Sequence, residues 1–255
     1  MNHRQVLETL KLVREYSQKR NFTQAVDLII NLSGLNLKKS EENINNFVVL
    51  PYKRSKESKL GIFVGDELIS QAKGNFDLII HKDDFKEYAQ DPNKIRKIAK
   101  HISFFIAQVN LMPDIAKYFG KILGSMGKMP NPKSGAVVPA LIPDIKPLVS
   151  KLRSTLRIQT KNELSVKVSV GTEAMKDEEL AENIFAVYQN VFYALHEDKH
   201  KIKNVILKFS MGRPFFVGKE YTPEELKNKD IEEKKKGKLE EQKEEKSLKS
   251  KGEKE

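Results

Sequence analysis

The chain has 255 residues, with 46 Lys or Arg against 35 Asp or Glu for a formal net charge of +11, and it contains neither Cys nor Trp. That length can bury one large core or two small ones, and the absence of cysteine excludes disulfides and thiolate metal sites. No apolar run nears the ~18 residues of a membrane span, and the opening Met1-Asn2-His3-Arg4 has no signal-peptide core, so a cytoplasmic protein without membrane contact is expected.

Residues 2–20 carry Leu7, Leu10 and Val13 at helical spacing among Arg and Lys, which predicts a basic amphipathic helix. Val26, Leu28, Ile30 and Leu32 fall on every second residue and predict a strand with one buried face. Phe22, just before it, has the ordinary fate of a core residue open to it. A short strand at 47–50 ends at Pro51, and the polar run 52–59 is a connection. The rhythm then changes. Strands at 60–64, 78–81 and 104–109 alternate with helices at 67–73, 83–101 (interrupted at Pro92) and 114–123, which indicates a small parallel sheet covered by helices. A nucleotide site is not expected there. The turn after its first strand is Gly65-Asp66-Glu67, which lacks the glycine series and sets two carboxylates where a phosphate would bind.

Loop 124–135 follows, with three Gly and two Pro in twelve residues, and with Lys128 and Lys133 beside no acid. It reads as an ordered basic loop or equally as a plain surface linker. A helix is expected over 144–156, an extended piece over 157–160 and an alternating strand from Leu164 to Val170. Leu180, Ile184, Val187, Tyr188, Val191 and Leu195 form the clearest apolar helical stripe in the chain. A strand over 205–209 leads into Ser210-Met211-Gly212-Arg213-Pro214, which reads as an exposed turn. There a hydroxyl, a thioether, a bare backbone and a guanidinium lie side by side near Lys208, a set suited to contact with an RNA backbone, although such turns are commonplace.

The 35 residues from Tyr221 hold eleven Lys against eleven Asp or Glu, so the whole excess of +11 belongs to residues 1–220. A body that basic is expected to attract polyanions, whereas the tail 221–255 has too few apolar residues to fold and is expected to be disordered. The strands at the two ends alternate as in a sheet with one wet face, while the middle alternates strand and helix. The fold class expected is therefore a split α+β terminal domain, residues 1–64 and 157–220, with an inserted three-layer, Rossmann-like α/β domain at 65–156. His196-Glu197-Asp198-Lys199-His200 matches a zinc-peptidase pattern. That pattern needs a helix continuing past the second His and a third ligand, and with a strand beginning a few residues on, neither a metal nor any cofactor is expected.

Set out in order, Arg20-Asn21-Phe22-Thr23-Gln24, Val48-Val49-Leu50-Pro51, Gly127-Lys128-Met129-Pro130-Asn131-Pro132-Lys133, Val170-Gly171-Thr172-Glu173 and Ser210-Met211-Gly212 resemble the large-subunit ribosomal protein L-one family, archaeal type. The resemblance spans residues 1 to about 220. It implies a non-enzymatic, two-domain protein, monomeric when free, that binds ribosomal RNA of the mobile stalk beside the exit site. It further implies help in releasing deacylated transfer RNA, and repression of the protein's own messenger RNA.

By position, the family's RNA-contacting Phe falls on Phe22, followed by Thr23, and its Thr-Met-Gly on Ser210, Met211 and Gly212. Lys208 and Arg213 flank that motif, and Lys128, Asn131 and Lys133 are the residues of the middle loop that would make a secondary contact. Two departures stand out. Arg213 is interposed before Pro214, and Gly124-Ser125-Met126-Gly127 replaces a Gly-Pro-Arg-Gly usual in the family, with the loss of one basic residue.

Overall fold

A computed structural model describes residues 1–36, 42–54, 58–139, 144–160 and 163–221. The first helix, α1 (His3–Glu15), starts where the Gln5 side chain accepts the Asn2 backbone N–H at 3.0 Å, and Val6, Leu10 and Val13 line its buried stripe. Strand β1 (Ala25–Leu32) buries every second residue, as the alternation predicts. Next come β2 (Asn45–Val49), β3 (Leu60–Val64), the single turn α2 (Ile69–Ala72), β4 (Leu78–His81) and α3 (Phe85–Gln90). The break expected at Pro92 opens α4 (Pro92–His101), where the Asp91 carboxylate accepts the N–H groups of Asn93 and Lys94.

Strand β5 (Phe104–Gln108) and α5 (Met112–Ser125) follow, and after loop 124–135 comes the two-residue β6 (Val137–Val138), too short to leave a pattern in the sequence. The chain then forms α6 (Lys146–Ser154), β7 (Thr155–Gln159), β8 (Ser165–Thr172), α7 (Asp177–Ala194), β9 (Ile202–Phe209) and a second short strand, β10 (Phe215–Phe216). Three acids in the first turn of α7 complement its dipole.

These strands make three sheets. The chain ends form an antiparallel sheet ordered β10-β9-β1-β8, and β2 pairs antiparallel with β7. The middle forms a parallel sheet ordered β4-β3-β5-β6. Both faces of the parallel sheet are covered. Phe63, Phe85, Phe105 and Phe119 centre one apolar layer with α3, α4 and α5, and Leu60, Ile62 and Ile106 face Ala72, Ile145, Val149 and Leu152 of the α2 and α6 side in the other. The expected three-layer segment is thus present, but its edges move. Leu60–Val64 pairs with β4 and β5, so this fully buried strand goes with the middle of the chain and not with the first terminal piece at 1–64. Likewise β7 begins at Thr155, two residues ahead of the junction expected at 157.

On the antiparallel sheet, α1 and α7 cover one face, and Arg14 ties them together. Its Nε donates to Asp177 Oδ1 at 2.6 Å and its two Nη groups to the carbonyls of Glu173 and Met175. Met1–Val217 forms one compact unit. The disorder expected for 221–255 lies, past Tyr221, outside the described residues.

Candidate nucleic-acid interface

The turn after β9 is built on backbone bonds to the strand beside it. Ser210 N donates to Ala25 O at 3.0 Å and Gly212 N to Phe209 O at 2.9 Å, which folds the chain back towards β10. Gln24, only 2% exposed, clasps the two arms. Its side chain donates to Gln18 O and accepts from Met211 N, while its own carbonyl accepts from Glu173 N. Held in this way, Phe22 is 54% exposed and Met211 64% exposed. Neither ring nor thioether is a core group, and the question left open for Phe22 is answered by its exposure.

Not every residue of the turn faces outward. Arg213 is 6% exposed, with its guanidinium over the rings of Tyr16 at 5.4 Å and Phe215 at 5.8 Å. It fastens the turn to the end of α1 by cation–π contact and is not the surface cation expected from sequence. Gly212 also has a structural reason to be glycine, because a Cβ there would lie 2.9 Å from Ser17 Oγ and 3.3 Å from Phe209 Cβ. The Ser210 hydroxyl donates to Ala25 O at 3.3 Å and keeps its lone pairs for a donor from outside. Lys208, half-buried, sits opposite Asp27 on β1 and reaches Ser210 O at 3.4 Å. Burial raises the Asp27 pKa above the ordinary carboxylate value, against the opposing pull of Lys208.

Phe22, Thr23 and Ser210 share the wall of a cleft of about 650 Å³, whereas Lys208, Met211 and Gly212 lie outside that wall. Ser169 and Thr172 of β8 continue the terminal side, and the opposite side brings Arg54, Ser58, Lys59, Lys100 and His101. Among the described residues no carboxylate lines it. Arg54 Nη2 donates to Ser58 Oγ at 2.8 Å, its Nε has no partner among the described residues, and burial lowers its pKa. A guanidinium partly removed from water with no acid beside it is suited to a phosphate oxygen. The Thr172 hydroxyl is likewise buried and unpartnered among the described residues.

Sequence reasoning missed these cations. Arg54 and Lys59 sit in a run dismissed as a connection, and Lys100 and His101 end a helix 40 residues farther on. The available signal was that a basic connection between two strands must run over the body that both strands enter.

The middle loop behaves differently from expectation. Lys128 donates from Nζ to Ala99 O at 2.5 Å and Ile102 O at 2.6 Å, so it satisfies the carbonyl end of α4, and burial lowers its pKa. Asn131 accepts the Lys133 N–H at 2.9 Å and caps a turn. Of the three residues assigned to a secondary contact, Lys133 alone is an exposed cation.

The zinc pattern loses its geometry. Helix α7 ends at Ala194, and His196 and Glu197 have φ of 57° and 62°, so the two His are not one turn apart on a helix.

Comparison with known proteins supplies a frame for this site. The sequence profile of the Ribosomal protein L1p/L10e family matches residues 13–213. Proteins named large ribosomal subunit protein uL1 are similar over most of their length. That of Methanobrevibacter smithii is 40% identical over 209 residues, 82% of this chain and 96% of the relative. For Pyrococcus abyssi the values are 39% over 212 residues, 83% and 94%, and for Methanocaldococcus jannaschii 39% over 220 residues, 86% and 98%. The match thus takes in both the terminal strands and the middle segment, and it stops short of the charged tail.

Proposed function

Since the chain belongs to the Ribosomal protein L1p/L10e family, structural proteins of the large ribosomal subunit and not enzymes, we propose that the basic cleft between Phe22 and Arg54 holds ribosomal RNA of the mobile stalk. In this reading the protein works at the cytoplasmic ribosome. The single observation that carries the reading is that exposed Phe22 and Thr23 share one wall with Ser210, opposite four basic groups and, among the described residues, no carboxylate.

The roles follow from the chemistry. Phe22 offers a face for a sugar or base, and Met211, beside the cleft, extends the apolar contact. Ser210 and Thr172 offer hydroxyls to 2′-OH groups, which distinguish RNA from DNA. Arg54, Lys59 and Lys100 meet phosphates and give affinity without reading sequence. The terminal strands form the anchor domain in this reading, and the parallel-sheet segment forms a second domain that leans cations over the bound RNA. The same surface serves a messenger RNA that imitates the stalk, and the second domain meets the departing transfer RNA.

The experiment is a titration of full-length protein with a stalk RNA fragment and a shuffled control at several salt concentrations. The expected result is preference for the stalk fragment and an affinity falling steeply with salt, since each phosphate neutralised contributes about 0.7–0.9 to the log–log slope. Equal affinity for both RNAs overturns the reading.

A further inference from the structure

A second cleft, of about 670 Å³, opens between loop 124–135 and the β2–β7 pair, and it shares only Ser103 with the first. Its floor is a row of flat groups. The Arg157 guanidinium lies 5.8 Å from the Phe47 ring centre, and Phe47 lies 6.1 Å from Phe104. All three are half-buried, as are Met126 and Met129, which stand on the loop side.

Arg157 is fixed in this row. It donates from Nε to Asn45 Oδ1 at 3.0 Å and from Nη1 to the Gly127 carbonyl. Gly127 permits the approach, because it has a φ of 66° and a Cβ there would lie 2.9 Å from Nη1. Among the described residues the walls contain no carboxylate, while Lys128 and Arg157 are both cations whose pKa burial lowers. Gln159 adds an amide to the lining, whereas the buried Ser134 hydroxyl donates to the Asn131 carbonyl at 2.8 Å.

We propose that this second cleft is a seat for unpaired nucleotides of RNA, with bases stacking on the planar groups of Arg157, Phe47 and Phe104 and their edges read by Gln159. Three features select that occupant. Bases stack on aromatic rings and on guanidinium planes alike, and the row offers both. Cations without acids attract a polyanion and repel an acidic peptide. The guanidinium is held in place before the ligand arrives, which lowers the ordering cost of binding. The volume lies within the ~300–1,000 Å³ common for ligand sites. This inference goes beyond the stalk reading and does not depend on it. With both sites filled, the protein would hold a folded RNA element in one cleft and a single-stranded segment in the other.

The test uses full-length protein and a hexauridylate carrying one 4-thiouridine, with stalk-fragment affinity measured alongside so that the two readings fail separately. The expected result is cross-linking to peptides containing Phe47 or residues 126–134, undiminished by saturating stalk fragment. Phe47→Leu should weaken oligonucleotide binding at least fivefold, with stalk affinity within twofold. Gln159→Ala should weaken it about threefold, and it removes no core group if Phe47→Leu fails to fold. Displacement of the oligonucleotide by stalk fragment, with cross-links at Phe22 or Ser210, would show one RNA site and overturn the proposal. So would unchanged oligonucleotide binding by both variants. The proposal also fails if the oligonucleotide does not bind while an apolar dye binds the wild type and not Phe47→Leu, an outcome that marks a protein-docking groove.

Discussion

The turn 210–214 and the loop 124–135 are made of nearly the same residues, Gly, Pro, Met, Ser and a cation, and in both a cation turns inward, but they place their methionines differently. In the turn, Met211 stands out in solvent and Arg213 goes inward over Tyr16 and Phe215. In the loop, Lys128 goes inward to the carbonyls ending α4, and the methionines border a cleft. What decides the direction of a cation is therefore what lies within its reach. An unsatisfied helix end or an aromatic face captures a flexible basic side chain and fixes where its charge sits, which its place in the sequence alone does not.

The comparison is sharpened most by Phe22→Ala. Stalk-RNA affinity should fall about thirtyfold, ~2 kcal/mol, with folding stability altered by no more than ~0.5 kcal/mol, since the ring is already in solvent. A stability loss of ~3–5 kcal/mol in urea unfolding would return Phe22 to the core and break the distinction.

Lys128→Met tests the other side. It strands two carbonyls at the end of α4 and should cost about 1.5 kcal/mol of stability, while stalk affinity of the folded variant stays within about twofold. A tenfold affinity loss with unchanged stability would make the loop lysine a ligand contact after all.

Smaller in effect, Arg54→Gln should reduce stalk affinity about fivefold near physiological salt and make the log–log salt slope shallower by about one, as expected for one lost phosphate contact. An unchanged slope would mean that Arg54 meets no phosphate.

The smallest effect concerns Asp27, whose pKa burial raises. In the unfolded chain this carboxyl loses its proton near 3.8, and in the fold at higher pH. Between those two values the folded state holds more protons, so stability falls as pH rises through the window and is level above it. Asp27→Asn should remove that slope in pH-dependent urea unfolding, and slightly raise RNA affinity by removing a negative charge near Lys208. A wild-type slope that survives the substitution would place the titrating group elsewhere.

Much of the architecture was legible because it rests on periodicity. The alternation of Val26, Leu28, Ile30 and Leu32 and the stripe from Leu180 to Leu195 report which face is buried, and burial is what makes those elements form. The junction at Leu60 was not legible, because five consecutive buried residues look the same whichever sheet receives them. For the candidate site, Phe22 and Met211 were singled out by the family resemblance, and local pattern alone left Phe22 open to the core, where its exposure shows it is not. The inward turn of Arg213 and Lys128, and the arrival of Arg54, Lys59, Lys100 and His101 opposite Ser210, depend on contacts far apart in the chain that no local pattern encodes.

The position of β1 between β8 and β9 has a consequence for how the protein is made. Synthesis delivers β1 first, yet its two partners end at Thr172 and Phe209. At ~5–20 residues per second the interval between Leu32 and Thr172 lasts roughly 7–28 s, during which an apolar strand has both edges unmet. The parallel sheet is complete by the time α6 emerges, so it can form while the ends wait. A nascent chain of this protein thus carries an open strand past its own finished middle, and whatever shields that strand during those seconds governs the yield of folded protein.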